Sequence, residues 1–271
     1  MKKIEGFDDR PIGIFDSGFG GLTVMAAVNK MLPNESLIYF GDTAHLPYGS
    51  KSKEAITKFS TNIADFLVSK GIKALVVACN TASAFALPAI KKNLQIPVVG
   101  VIEPGAKEAC KQTISNRIGV IGTEGTISSN SYKKAVRKFS KAIVFGKPCP
   151  LFVPLVEEGW TKTQIALDAA KIYLDPLIKR QIDALILGCT HYPLLKSAIS
   201  KTVGPRIKLV DSANAVACEV TKILNKGSLN ASKGKKGTLS FYASDNPKKF
   251  QRLGGEFFGK KLPRVKKIIL E

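Results

Sequence analysis

Short apolar runs alternate with longer amphipathic stretches along most of the chain. Residues 10–15, 36–40, 73–78 and 97–101 are strand-length apolar runs, and 22–31, 54–70 and 82–93 between them carry apolar positions at helical spacing. The rhythm then repeats, with strands expected near 118–121, 184–187 and 208–210 and helices near 129–139, 163–173 and 194–201. A helix over 216–224 and strands over 239–243 and 265–270 follow. Strands that alternate with helices of this length predict an α/β fold with mainly parallel sheets flanked by helices.

The repetition extends to residue identity. Residues 72–79 read I-K-A-L-V-V-A-C and residues 182–189 read I-D-A-L-I-L-G-C, so Cys79 and Cys189 close equivalent apolar runs 110 positions apart. A second pair, I-G-I-F-D-S at 12–17 and I-G-V-I-G-T at 118–123, falls at nearly the same offset. A repeat of roughly domain length predicts two pseudosymmetric domains with the active site in the cleft between them. Residues 1–102 with 213–271 are expected to form the first, and 103–212 the second.

Composition narrows the class. A chain of 271 residues with 45% hydrophobic content can bury a substantial core. Its longest apolar runs fall well short of the ~20 residues that span a bilayer, and residues 1–6 have no apolar signal region, so a soluble cytoplasmic protein is expected. Five cysteines at irregular spacing without a C-x-x-C pair, and only two histidines, argue against a disulfide framework and against a metal site. The net charge of +20 raises the question of nucleic acid. From Lys226 onward twelve basic residues stand against three acidic ones, but the aromatic interleaving of a single-strand binding platform is missing. A solvated surface is the favoured reading of this basic part, ahead of a polyanion contact.

In parallel sheets ligands gather at the carboxyl ends of the strands. Asp16-Ser17, the segment 42–49, Cys79-Asn80-Thr81 and Cys189-Thr190-His191 all fall at such ends. The glycine-rich stretch 16–21 has Thr23 where a dinucleotide fingerprint needs glycine, and the chain has no P-loop pattern. The loops offer hydroxyls, small residues and free amides, which suit a small carboxylate; plain helix capping accounts for any single threonine equally well. A thiol at a helix start ionises more readily than in water, so both cysteines are expected to favour the thiolate. A Cys/His hydrolase needs only one of the two. Inversion of a carbon centre needs a base on each face, one taking a proton while the other delivers one, and thiols titrate close enough to neutrality for either part.

The blocks D-S-G-x-G-G at 16–21, P-Y-G at 47–49, C-N-T-A-S-A at 79–84, G-T-x-G-T at 122–126, L-G-C-T-H-Y-P at 187–193 and V-D-S at 210–212 resemble the signatures of the glutamate racemases, cofactor-independent enzymes that supply D-glutamate for bacterial peptidoglycan and so for cell-wall biogenesis and cell shape. The resemblance runs from about residue 12 to 212 and leaves out the lysine-rich end. It implies that Cys79 takes the proton from D-glutamate and Cys189 from L-glutamate. Asp16 and His191 would assist their neighbouring thiols, with Glu157 supporting His191. Substrate would meet Asp16, Ser17, Tyr48, Gly49, Asn80, Thr81, Thr123, Thr126, Thr190 and His191, without metal or cofactor. His45, where many relatives carry arginine, is assigned no catalytic part. Aspartate or hydantoin racemases share the paired cysteines and remain the alternative. A homodimer is compatible with the sequence and not required by it.

Overall fold

In the computed structural model, residues 7–234 and 236–270 are described. The expectations for 1–6 and for Lys235 in the basic run lie outside the described residues.

The first unit begins β1 (Ile12–Asp16), α1 (Leu22–Met31), β2 (Leu37–Gly41), α2 (Lys53–Ser69), β3 (Ala74–Val77), α3 (Asn80–Phe85), α4 (Leu87–Asn93) and β4 (Val98–Gly100). Helix α5 (Ile102–Gln112) crosses to the second, which runs β5 (Arg117–Gly122), α6 (Glu124–Ser128), α7 (Ser131–Arg137), β6 (Ile143–Pro148), α8 (Phe152–Glu157), α9 (Gln164–Ile178), β7 (Ala184–Gly188), α10 (Lys196–Val203) and β8 (Lys208–Val210). Then α11 (Ser212–Gly227), β9 (Leu239–Ala243), α12 (Pro247–Phe258) and β10 (Val265–Lys267) complete the chain.

Every strand pairing among the described residues is parallel. The sheets run β10-β9-β2-β1-β3-β4 and β6-β5-β7-β8, so β2-β1-β3-β4 and β6-β5-β7-β8 have the same order. The α/β expectation therefore holds, and the repeat in the sequence is a repeat of topology: β3 and β7, which precede Cys79 and Cys189, are equivalent strands. Strands β9 and β10 extend the first sheet beside β2.

Alternation along the strands explains the covering helices. Ile12, Ile14, Leu37, Tyr39, Ala74 and Val76 pack on one side of the first sheet, and Phe15, Phe40, Leu75 and Val77 on the other. Both faces are buried, as a parallel sheet requires. The expected helix over 82–93 is broken at Ala86 into α3 and α4. Pro88 has no amide hydrogen to give Ala84 four residues back, and the free Ala84 carbonyl accepts from Ser131 Oγ at 3.5 Å. The expected helix near 129–139 is shorter, because Asn130 adopts a left-handed conformation (φ 54°) between α6 and α7.

Candidate active site

The carboxyl ends of β1, β3, β5 and β7 converge on one place. Asp16 closes β1 fully buried, its Oδ2 accepting from the amides of Gly21 (3.0 Å) and Gly18 (3.3 Å), while Oδ1 has no partner. Cys79 follows β3 as the cap of α3 and is 5% exposed. The Ala82 amide donates to its Sγ at 3.4 Å, and the thiol reaches Ser17 Oγ at 3.7 Å. Burial first, and then the Asp16 charge, push the Cys79 thiol far above its ordinary value, against the lowering effect of the Ala82 amide and Ser17. This corrects the thiolate expectation for Cys79: one amide at a short helix does not offset burial beside a carboxylate.

Cys189, 7% exposed, follows β7 with its Sγ 4.0 Å from His191 Nδ1. The other ring nitrogen of His191 lies 3.3 Å from Glu157 Oε1, at the end of α8, in an ion pair not aligned as a hydrogen bond. Burial lowers the imidazole's proton affinity, but Cys189 and Glu157 outweigh it and raise the His191 pKa to about 10. The two half-sites sense each other, since charge at Cys189 acts on Cys79 and charge at Asp16 acts on His191.

Between the thiols the halves interlock through small polar groups. Thr81 Oγ1 lies 2.9 Å from Thr123 Oγ1 and 3.1 Å from Thr126 Oγ1, and Thr123 and Thr126 are 3.0 Å apart, so three hydroxyls from β3 and β5 loops close a triangle. Thr123 also caps α6. Two glycines allow close approach across the junction: a Cβ at Gly20 would lie 2.7 Å from His191 Nδ1, and one at Gly49 would lie 2.6 Å from Thr123 Cβ. Asn80, 3% exposed, accepts from Tyr132 at Oδ1 while its Nδ2 has no partner. Thr190 is buried beside Gly20.

Tyr48 sits under the mouth with its hydroxyl donating to Asp42 Oδ2 (2.6 Å). Asp42 also accepts from Ser244 (2.8 Å), and His45 Nδ1 lies 2.9 Å from its Oδ1. His45 stacks on Phe59 with ring centres 4.0 Å apart, in keeping with a loop residue. An apolar cleft of ≈330 Å³, lined by Pro47, Gly49, Thr123, Val153, Pro154 and Glu157 among others, opens between this loop and α8. Each residue expected in the site thus lies at or beside this junction. The segment 42–49 was expected at a strand end, but no role was expected of Asp42; Ser244, Tyr132 and Phe257, whose ring meets His191 edge-on at 5.2 Å, were not foreseen.

Two like units that bring one thiol each to a shared, water-poor junction define an enzyme able to act on both faces of one small ligand. A family model for Asp/Glu/Hydantoin racemase matches residues 12–220, and the chain belongs to that family. It is 53% identical to the glutamate racemase of Geobacter metallireducens, over 97% of each chain. Among solved structures it resembles glutamate racemase isoform RacE1 from Bacillus anthracis (40% identity, 96% and 97% of the two chains, TM-score 0.92). It also resembles glutamate racemase from Francisella tularensis in complex with D-glutamate (39% identity, 97% and 99%, TM-score 0.90).

Proposed function

We propose that the protein is a glutamate racemase, interconverting L- and D-glutamate by proton transfer at Cα between two thiols and so supplying D-glutamate for peptidoglycan. The observation that carries this reading is the pair of buried cysteines at equivalent strand ends, in a chain similar over nearly its whole length to glutamate racemases. One cysteine, as thiolate, removes the Cα proton; the electron pair spreads into the carboxylate, and the opposite thiol gives its proton to the other face. Each turnover leaves the thiols with exchanged protonation. Cys189 is assigned to L-glutamate and Cys79 to D-glutamate. The high proton affinity of Cys79 suits it to rest as the donor.

The difficulty is the weak acidity of a Cα–H beside an ionised carboxylate. Fixed donors in a dry site stabilise the charge that builds there. Asn80 Nδ2, Thr81 and Thr190 supply such donors, and the unpartnered Asp16 Oδ1 can accept from the substrate ammonium. Ser17, Tyr48, Gly49, Thr123 and Thr126 shape the remaining wall, and Glu157 holds His191 charged on the Cys189 side. No cofactor enters this chemistry. The net charge of +20 draws an anionic substrate toward the protein.

Two bodies, 1–102 with 213–271 and 103–212, would close on substrate. No helix among the described residues is long and apolar enough to cross a membrane, and a cytoplasmic location is part of this proposal. The basic C-terminal part is assigned to solvent; affinity for duplex DNA that falls steeply with salt would assign it to a polyanion instead. The homodimer is a matter for sedimentation equilibrium.

Proton NMR in D2O, with L- and D-glutamate in separate samples and no added cofactor, tests the function. Loss of the Cα signal with optical inversion is expected from both enantiomers, and Cys79→Ala and Cys189→Ala should each abolish inversion. Exchange and inversion with aspartate but not glutamate would replace the substrate; activity surviving Cys79→Ala would favour a single-thiol hydrolase.

A further inference from the structure

The geometry points to Tyr132 as a positioning residue for the racemase reaction: its hydroxyl fixes the side-chain amide of Asn80 with the NH2 group turned to the substrate. The inference rests on the racemase reading above. Tyr132 stands on α7, in the second unit, and Asn80 opens α3, in the first. The phenol is buried and donates to Asn80 Oδ1 at 2.7 Å. Its surroundings hold the ring in place, because a Cβ at Gly188 would lie 3.1 Å from Tyr132 Cε2 and one at Gly105 would lie 3.6 Å from its oxygen.

The polarity of this bond is what matters. An asparagine can present either an acceptor or a donor pair, and the hydrogen-bond network decides which. Burial keeps the phenol protonated, so its hydrogen needs an acceptor, and Asn80 Oδ1 is the acceptor it has. A flipped amide would leave both the phenol hydrogen and the buried oxygen without partners. With Oδ1 taken, Nδ2 is left as a buried donor lacking any acceptor in the protein. An unpaired donor at that depth is costly unless a ligand pairs with it, and a substrate carboxylate is such a ligand. Because donor and acceptor come from different units, the amide is set only when the two units meet.

Steady-state kinetics in both directions tests this with Tyr132→Phe, Asn80→Ala, the double variant and Asn80→Asp, each checked by melting temperature. Tyr132→Phe should lower kcat/KM by about 10–100-fold for both enantiomers, with KM raised for both. In the Asn80→Ala background the same change should cost little further, the non-additivity of residues acting through one contact. Asn80→Asp keeps an acceptor for Tyr132 but has no NH2, so it should lose as much as Asn80→Ala. A natively melting Tyr132→Phe within twofold of wild type, an undiminished loss in the Asn80→Ala background, or an active Asn80→Asp would each overturn the inference while leaving the racemase reading intact. A wild-type protein inactive on both enantiomers would remove that reading, and the inference with it.

Discussion

At the residue scale the two halves of the site carry opposite electrostatic settings. Cys79 is pushed toward the thiol by burial and Asp16, while His191 beside Cys189 is held as a cation to about pH 10 by Cys189 and Glu157, against the opposing effect of burial. The second setting predicts a pH signature. A histidine raised above its unfolded value of about 6.5 contributes stability that is complete below that pH and is lost as pH rises toward 10. The protein has two histidines, so ring-proton NMR resolves the titration directly. One should titrate near 10 in the wild type and move down in Glu157→Gln, where the melting temperature should begin its alkaline decline at lower pH. The absence of a histidine titrating near 10 in the wild type would remove the His191–Glu157 pair from the account. The thiols and His191 were legible in the sequence because the duplicated runs single them out. The place of Asp42 at a strand end was legible but its role was not, and Tyr132 was not legible at all: an aspartate before a turn and an aromatic on an amphipathic helix carry no sign of the partner that gives them a role.

At the element scale, the strands and helices that sequence periodicity missed have local reasons. Helix α5 contains Pro104-Gly105, which reads as a break; Pro104 lies in the first turn, where its missing amide hydrogen removes no helical bond, and Gly105 lets Ser212 approach. Strand β6 holds Gly146 and Pro148 and is largely unburied because it is an edge, where proline is tolerated. Helix α12 was hidden by Gly254-Gly255, although at Gly254 a Cβ would meet Leu22 and Leu262 at 2.8 and 2.7 Å, so the glycine permits close packing. That helix reaches the chemistry. Phe257 stacks on Phe19 of the glycine-rich loop with centroids 6.3 Å apart and meets the His191 ring. Phe257→Ala should therefore cost about 3–5 kcal/mol in urea unfolding, the usual range for emptying a buried aromatic site, and should lower kcat beyond what the surviving folded fraction explains. A loss under about 1 kcal/mol with full activity would make α12 a passive cover.

At the scale of the whole molecule, the site exists only where the two units touch. Both cysteines are buried, at 5% and 7% exposure, under loops from the two units. One meeting of the two units is at Gly49, whose missing side chain lets the 46–50 loop lie against Thr123, and Thr123 cannot easily yield because it caps α6 and bonds Thr81. Gly49 lies in a short turn with ordinary backbone angles, so a methyl group there strains nothing within its own unit. Gly49→Ala thus separates closure from folding: the melting temperature should stay within a few degrees of wild type while kcat/KM falls by about 10-fold or more for both enantiomers. Alkylation of Cys79 and Cys189 by iodoacetamide should at the same time become faster, because a cleft held ajar admits reagent and water alike, and water in the site weakens the fixed donors that stabilise the carbanion. Unchanged kinetics and unchanged alkylation would mean that the two units already meet loosely in solution, and that substrate, rather than the protein's own packing, closes the site.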